Sequence, residues 1–265
     1  MPQENILREN RIYWTGRASG YSEVNQTELG TEQHRKWRSF LREEMEKCFP
    51  NKAPEDLQVL DIGTGPGFFA VLLCELGCCV TAVDLTPAML DEAKKNAGPL
   101  ADRIRFLEMN AEALSFESEC FDTVISRNLT WNLPHPERAY SDWVRVLKPG
   151  GLLLNFDANW YSYLFDEAAQ AAYEQDRVNT ARLGVRDENI GEHFDVMEEI
   201  ARRVPLSAIR RPEWDLSCLR SLGLRAEANE EVWKQLWSEE EKLNFSSTPM
   251  FMIRAEKIRS KAERV

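Results

Sequence analysis

Apolar residues along the chain gather in short blocks that alternate with helical periods. In residues 57–62, Leu57, Val59, Leu60 and Ile62 form a run suited to a buried parallel strand, and Gly63, Gly65 and Gly67 follow at alternate positions. Residues 68–76 continue as an apolar helix, and residues 79–84, 104–108, 121–128 and 152–156 read as further strands. Helical signals lie between them, one opened by Thr86 and Pro87 and one closing over residues 145–149. This alternation predicts an α/β chain whose parallel sheet carries helices on both faces. Residues 1–50 read as mostly helical, with Tyr13, Trp14, Arg17 and Tyr21 in a glycine-containing stretch. Within them, a helix over about residues 31–48 carries Trp37, Phe40, Leu41 and Met45 on one period. After residue 157 the alternation breaks, because residues 161–183 and 192–204 look helical with no strand between them. Residues 212–222 then predict a last core helix, and residues 224–232 and 248–257 two closing strands, the final one antiparallel.

The glycines after residue 62 say what the sheet holds. A turn of this kind brings backbone close to a ligand and aims the first amides of the next helix at it. A dinucleotide site uses the same device, but with the spacing G-x-G-x-x-G. Here the glycines alternate strictly, and Asp61 stands where a pyrophosphate would be repelled. A carboxylate at that point suits a cationic or ammonium-bearing ligand, which makes a nicotinamide-dependent reductase a poor reading. The second strand also ends in an acid, Asp84, able to accept hydrogen bonds from two adjacent hydroxyls. Thr86 as N-cap with Pro87 at the first helical position sets the direction of Met89.

Residues 57–67 resemble motif I of the class I S-adenosylmethionine-dependent methyltransferases, and the later landmarks follow in that family's order over roughly residues 55–157. The broad bacterial type 11 group is the nearest in character. The resemblance implies a Rossmann-like, seven-stranded, mostly parallel sheet with helices on both faces. It further implies an N-terminal helical lid over residues 1–50, a cofactor-binding core over 51–157, a helical cap insertion over 158–210, and the C-terminal part of the sheet over 211–265. The implied cofactor is S-adenosylmethionine, which carries a sulfonium and an α-ammonium and no phosphate. Its site would be formed by Asp61, Gly63, Thr64, Gly65 and Gly67 of the turn. Asp84 would take the ribose hydroxyls, with Leu85 and Met89 beside it. Asn110, Ala111 and Glu112 would meet the adenine edge, and Arg127 would stand at the end of the fourth strand.

Methyl transfer from a sulfonium asks mainly for alignment in a water-poor site, so the acceptor side carries a weaker signature than the cofactor side. Candidates there are Tyr13, Trp14 and Tyr21 from the lid, Asn128, Trp131 and Asn132 after the fourth strand, and Asp157, Asn159, Trp160 and Tyr161 after the fifth. Each has a plainer alternative. Trp131 and Trp160 could fill contacts between cap and core, Asn128 could close a turn, and Asp157 could cap the segment that follows it. His135, between Pro134 and Pro136, suits a turn; His193, in the cap, is the better imidazole candidate for a base. An aromatic pocket would favour a flat or cationic small molecule, methylated on nitrogen, oxygen or sulfur. A non-catalytic S-adenosylmethionine-binding protein of the same fold is the alternative in another class.

Composition narrows the partners. A net charge of −11 and a pI near 5.0 argue against wrapping nucleic acid, and Arg202-Arg203 with Arg210-Arg211 are the one basic patch to consider. No apolar run reaches the roughly 18 residues of a membrane span, and residues 1–5 show no leader pattern, so a soluble, cytoplasmic protein is expected. The 6 cysteines form no C-x-x-C pair and no zinc spacing, which reads as reduced core thiols and no metal site. A thiol cluster at Cys74, Cys78 and Cys79 for a soft metalloid is the sharper alternative. The number of subunits leaves no trace in the sequence.

Overall fold

Val59, Leu60 and Ile62 are wholly buried because β1 (Gln58–Ile62) lies at the middle of a sheet covered on both faces. A computed structural model of the chain describes residues 2–187 and 194–259. The sheet has seven strands in the order β3-β2-β1-β4-β5-β7-β6. Its members are β2 (Cys79–Asp84), β3 (Ile104–Glu108), β4 (Phe121–Arg127), β5 (Leu147–Asp157), β6 (Leu224–Asn229) and β7 (Phe251–Lys257). The first five run parallel, and β7 pairs antiparallel with both β5 and β6. Side chains leave alternate faces. Val59, Ile125 and Phe156 join one core with Trp37, Leu41 and Leu72, whereas Leu60, Val124 and Leu153 join a second with Tyr140, Trp143 and Leu219.

The first core lies under α2 (Glu32–Cys48) and α3 (Phe68–Glu75), and α4 (Pro87–Ala97) packs on α3, β2 and β3. The second lies under α5 (Pro136–Val146) and α8 (Glu213–Ser221). Strand order reverses between β1 and its neighbours β2 and β4. In an open α/β sheet, the carboxyl ends at such a switch are where ligands sit. Above those ends lies a third apolar cluster, built from Ile6, Trp131, Met197, Ile200, Ala201 and Val204. It joins α1 (Pro2–Gly30) and α7 (Phe194–Ala201) to the loop after β4.

Several elements differ from the sequence expectation. The stretch near Tyr13, expected to be mostly helical, is one uninterrupted helix instead of several pieces: α1 runs unbroken through Gly16 and Gly20, where an added Cβ would meet nothing. Residues 109–120, between β3 and β4, hold no helix, only a bridge pairing Asn110 with Ala113. Of residues 161–183, only α6 (Glu167–Leu183) is α-helical. Asp166 caps it by accepting the Ala169 amide at 2.8 Å, after a short 3-10 turn at Ser162–Leu164. The expected strand over residues 224–232 stops at Asn229, and two short helices, α9 (Trp233–Leu236) and α10 (Glu239–Asn244), follow where none was foreseen. A capping box between Ser238 and Glu241 starts the second of them. The proposed basic patch also dissolves: Arg211 is wholly buried against Asp157 and Asp215, and Arg203 pairs with Glu9 of α1. Cys74 and Cys78 are buried but Cys79 is exposed, and all six cysteines are free.

Candidate active site

The turn after β1 is held by its own amides and by two acids. Gly63, Gly65 and Gly67 have φ of +66°, +53° and +90°, in the left-handed region that favours glycine. Thr64 donates its amide to the Val83 carbonyl at 3.0 Å and its hydroxyl to the Asp61 carboxylate at 2.6 Å. Asp84 accepts the amides of Gly65 at 3.0 Å and Thr86 at 2.8 Å, so one side chain ties the first turn to the start of α4. A Cβ on Gly63 would sit 2.7 Å from the Leu129 side chain across the cavity wall. Gly67 has a different reason for being glycine: a Cβ there would press on Ala93 at 3.0 Å, where α3 crosses α4. Burial pushes the Asp61 carboxyl up to about 7, against the Thr64 hydrogen bond and with help from neighbouring Asp84. Burial likewise raises Asp84, against the amides that bond it.

The turn opens into a cavity of about 510 Å³. Of the expected cofactor residues, Asp61, Gly63, Thr64, Gly65, Asp84, Leu85, Met89, Asn110, Ala111 and Arg127 line it. Gly67 and Glu112 do not. Glu112 turns to the head of α5 and accepts the His135 amide at 2.6 Å, and burial raises its carboxyl. Of the acceptor candidates, Tyr13, Trp14, Tyr21, Asn128, Trp131, Asn132, Trp160 and Tyr161 line the same cavity. Trp131 and Tyr161 pack with ring centroids 4.9 Å apart, Tyr13 and Trp14 at 5.1 Å.

Asp157 is behind this wall. It accepts Thr130 Oγ1 at 2.6 Å, the Trp131 amide at 3.0 Å, Trp160 Nε1 at 3.2 Å and Arg211 Nη1 at 2.6 Å, and is wholly buried. It therefore holds the two tryptophan loops in place and meets no acceptor. Asn159 is also turned away, bonded to the backbone of Arg211. His193 lies outside the described residues.

The sequence reading missed several cavity residues. Glu28, near the end of α1, grips Arg127 with two hydrogen bonds of 2.8 Å, and the guanidinium lies over Phe68 at 4.4 Å from the ring centroid. Burial works against the Arg127 charge, but the Glu28 carboxylate outweighs it and raises the group above its ordinary value. Glu241 of α10 lines the cavity as well; burial and nearby Glu28 raise its carboxyl. Asn10, Trp237 and Phe245 are also part of the wall. Nothing local marks these residues. Glu28 and Glu241 look like ordinary solvated helix acids until Arg127 and the fold bring them together. Around the cavity, carboxylates (Glu23, Glu28, Asp61, Asp84, Asp187, Glu241) outnumber guanidiniums (Arg11, Arg17, Arg127, Arg186), which favours a ligand bearing positive charge.

A nucleoside whose other end is a sulfonium and an amino acid fits this donor set. Asp84 stands at the tip of β2, Met89, Asn110 and Ala111 give the cavity an apolar and amide edge, and Asp61 bonds Thr64 of the glycine turn. The sheet order, the acidic glycine turn and the cavity at the switch point define the class I methyltransferase fold, whose cofactor is S-adenosylmethionine. Residues 60–155 of the chain match the family model of a methyltransferase domain.

Curated relatives match over a similar length of chain. A ubiquinone biosynthesis O-methyltransferase of Coxiella burnetii is 30% identical over 109 residues, covering 40% of this chain and 47% of the relative. An uncharacterized protein of Mycobacterium tuberculosis is 34% identical over 97 residues, covering 37% of this chain and 35% of the relative. The chain thus spans under half the length of these curated relatives. Among solved structures, a methyltransferase in complex with the Trm112 activator from Haloferax volcanii superposes with a TM-score of 0.57 at 15% identity, covering 93% of this chain and 98% of the other. Geranyl diphosphate C-methyltransferase from Streptomyces coelicolor, solved with S-adenosyl-L-homocysteine, gives 0.55 at 17%, covering 84% and 78%. At these identities the structures share the fold.

Proposed function

We propose that the protein is an S-adenosylmethionine-dependent methyltransferase acting on nitrogen, oxygen or sulfur of a small molecule. The observation that carries this reading is that one cavity joins the acidic glycine turn to an aromatic chamber. When bound, S-adenosylmethionine supplies an electrophilic methyl group on a positively charged sulfur. Asp61 and the Thr64–Gly65 backbone would orient the amino-acid end, Asp84 the ribose, and Met89, Asn110 and Ala111 the adenine. Glu28 and Arg127 would close α1 over the site as a lid, and the helices between residues 158 and 210 would cap the acceptor end. Trp131, Tyr161, Trp14 and Tyr13 would exclude water and hold the acceptor in line with the methyl, which is most of what this displacement requires. A chamber walled by aromatic rings suits a small acceptor better than a macromolecule. Six free cysteines accord with a reducing, cytoplasmic setting.

Calorimetric titration with S-adenosylmethionine, S-adenosylhomocysteine and NADH tests the reading. The first two are expected to bind, and NADH is not. Asp84→Ala should weaken S-adenosylmethionine binding by about 1–3 kcal/mol, the scale of a charged hydrogen-bonding partner. NADH binding alone, or no binding of the first two, would overturn the assignment; turnover is then read as S-adenosylhomocysteine release against an acceptor panel.

A further inference from the structure

Besides the rings around Trp131, the cavity has a second aromatic wall, and this one carries a charge. Glu241 and Phe245 stand one helical turn apart on α10, the Phe245 amide donating to the Glu241 carbonyl at 2.9 Å, so their side chains share a face. Trp237, just before the helix, packs on Phe245 with ring centroids 5.8 Å apart, and Trp160, after β5, packs on Phe245 at 5.4 Å and on Trp237 at 6.5 Å. All four residues line the cavity, and Trp160, Glu241 and Phe245 each keep accessible surface. Glu241 is held by neutral donors: its Oε2 accepts the Ser238 amide at 2.7 Å and the side-chain amide of Gln33. The cation whose charge reaches it, Arg127, gives both terminal nitrogens to Glu28. Burial and the Glu28 charge raise the Glu241 carboxyl, the response of an acid short of positive charge.

Resting on the methyltransferase reading above, we propose that the acceptor carries an ammonium group, bound at Glu241 among the rings of Trp160, Trp237 and Phe245. Aromatic faces are electron-rich and attract cations, and a carboxylate beside them adds a full opposite charge, whereas an anion is repelled and a neutral apolar group gains nothing from Glu241. An ammonium nitrogen has no lone pair, so it is not the atom that takes the methyl. It anchors one end of the molecule while a second, nucleophilic atom reaches the cofactor. The fold keeps this anchor apart from the acids of the glycine turn. Asp61 and Asp84 lie at the carboxyl ends of β1 and β2, whereas Trp160 follows β5 and the segment with Glu241 links β6 to β7, so β4 stands between the two groups. With neighbouring strands about 4.8 Å apart, β2 and β5 are separated by about 14 Å.

The test compares choline with its uncharged isostere, dimethylbutanol, in which a tert-butyl group replaces the trimethylammonium. Binding is read by tryptophan fluorescence with S-adenosylhomocysteine present, and choline is expected to bind about tenfold more tightly. Glu241→Gln should bring the two probes within about twofold of each other while the calorimetric affinity for S-adenosylhomocysteine stays within about twofold of the wild type, which also shows that the variant is folded. In the wild type, the choline methyl protons should give nuclear Overhauser contacts to indole ring protons, a measurement that stands even if the variant does not fold. The assignment is overturned if the isostere matches choline, if choline does not bind or shows no indole contact, or if the preference survives in Glu241→Gln. A variant that loses S-adenosylhomocysteine as steeply as choline overturns it too, because Glu241 would then serve the cofactor. Wild-type protein that binds neither S-adenosylmethionine nor S-adenosylhomocysteine would instead remove the methyltransferase reading itself.

Discussion

Asp61 is buried, and its carboxyl is raised from 3.8 to about 7. Between those values the folded state binds more protons than the unfolded one, so this group's contribution to stability is full at low pH and is lost as pH rises through about 7. A cationic ligand prefers the ionised form, so cofactor affinity should climb over the same interval in which the unliganded protein loses stability. Asp61→Asn should uncouple the two. At pH 8 the unliganded variant is expected to melt above the wild type, and its affinity for S-adenosylmethionine to fall about tenfold or more. Calorimetry and thermal melts at pH 5.5 and 8 check both; a wild type whose unliganded melting point rises with pH would refute the protonation argument. The two neighbouring glycines show how far residue-level reading reaches. Gly63 and Gly67 belong to one visible pattern, but the first faces the cavity wall at Leu129 and the second only lets α3 approach Ala93. A glycine's spacing reports the turn, whereas its neighbour in space decides the reason for it.

The helix α1 binds the rest of the molecule through a mostly polar face. Its buried side chains include Asn10, Ser22, Asn25 and Glu28 beside Ile6 and Ala18, and its contacts are specific: Asn10 with Asn132, Ser22 with Asn96, Glu28 with Arg127. Such a face carries little hydrophobic signal, which is why the sequence shows a helix here but not which side of it docks. It also loses little by returning to water. Glu28→Gln leaves the Arg127 charge buried without its partner, a change that typically costs about 3–5 kcal/mol. Faster hydrogen exchange is therefore expected throughout α1, with the amides of β1 and β4 unchanged, when followed by mass spectrometry. Protection of α1 equal to the wild type would argue that Glu28 does not hold the helix down. The two short helices after β6 escaped notice for a related reason: six or fewer residues carry no readable period, and α10 is announced only by Ser238 and Glu241.

Across the molecule, one buried network joins the segments that carry the aromatic end of the cavity. Arg211 bonds Asp157 and Asp215, Asp215 accepts the Tyr140 hydroxyl at 2.5 Å, and Asn155 donates to both Tyr140 and Thr130. Burial opposes the Arg211 charge, but the two carboxylates beside it hold the proton and raise the group well above its ordinary value. Arg211→Met strands two acids in the interior, so a loss of about 3–5 kcal/mol is expected, read as a lower denaturant midpoint with an unchanged slope. Adding Asp157→Asn should recover part of that loss; an undiminished midpoint in the single variant would mean that the network contributes little.

The order of strands and helices through residue 157, the acidic glycine turn and the cofactor class could be read from the chain alone, because each rests on short-range periodicity and turn chemistry. The pairings of Glu28 with Arg127 and of Arg211 with Asp157 could not. An Arg or a Glu in a helix looks the same in sequence whether it is solvated or buried, and only a partner brought from far along the chain makes burial affordable. That is also why Asp157 read as a pocket residue and Asn10 went unnoticed. The sheet decides which acids end at its carboxyl edge, and the packing of α1 and the loops over that edge decides which of them a ligand can touch.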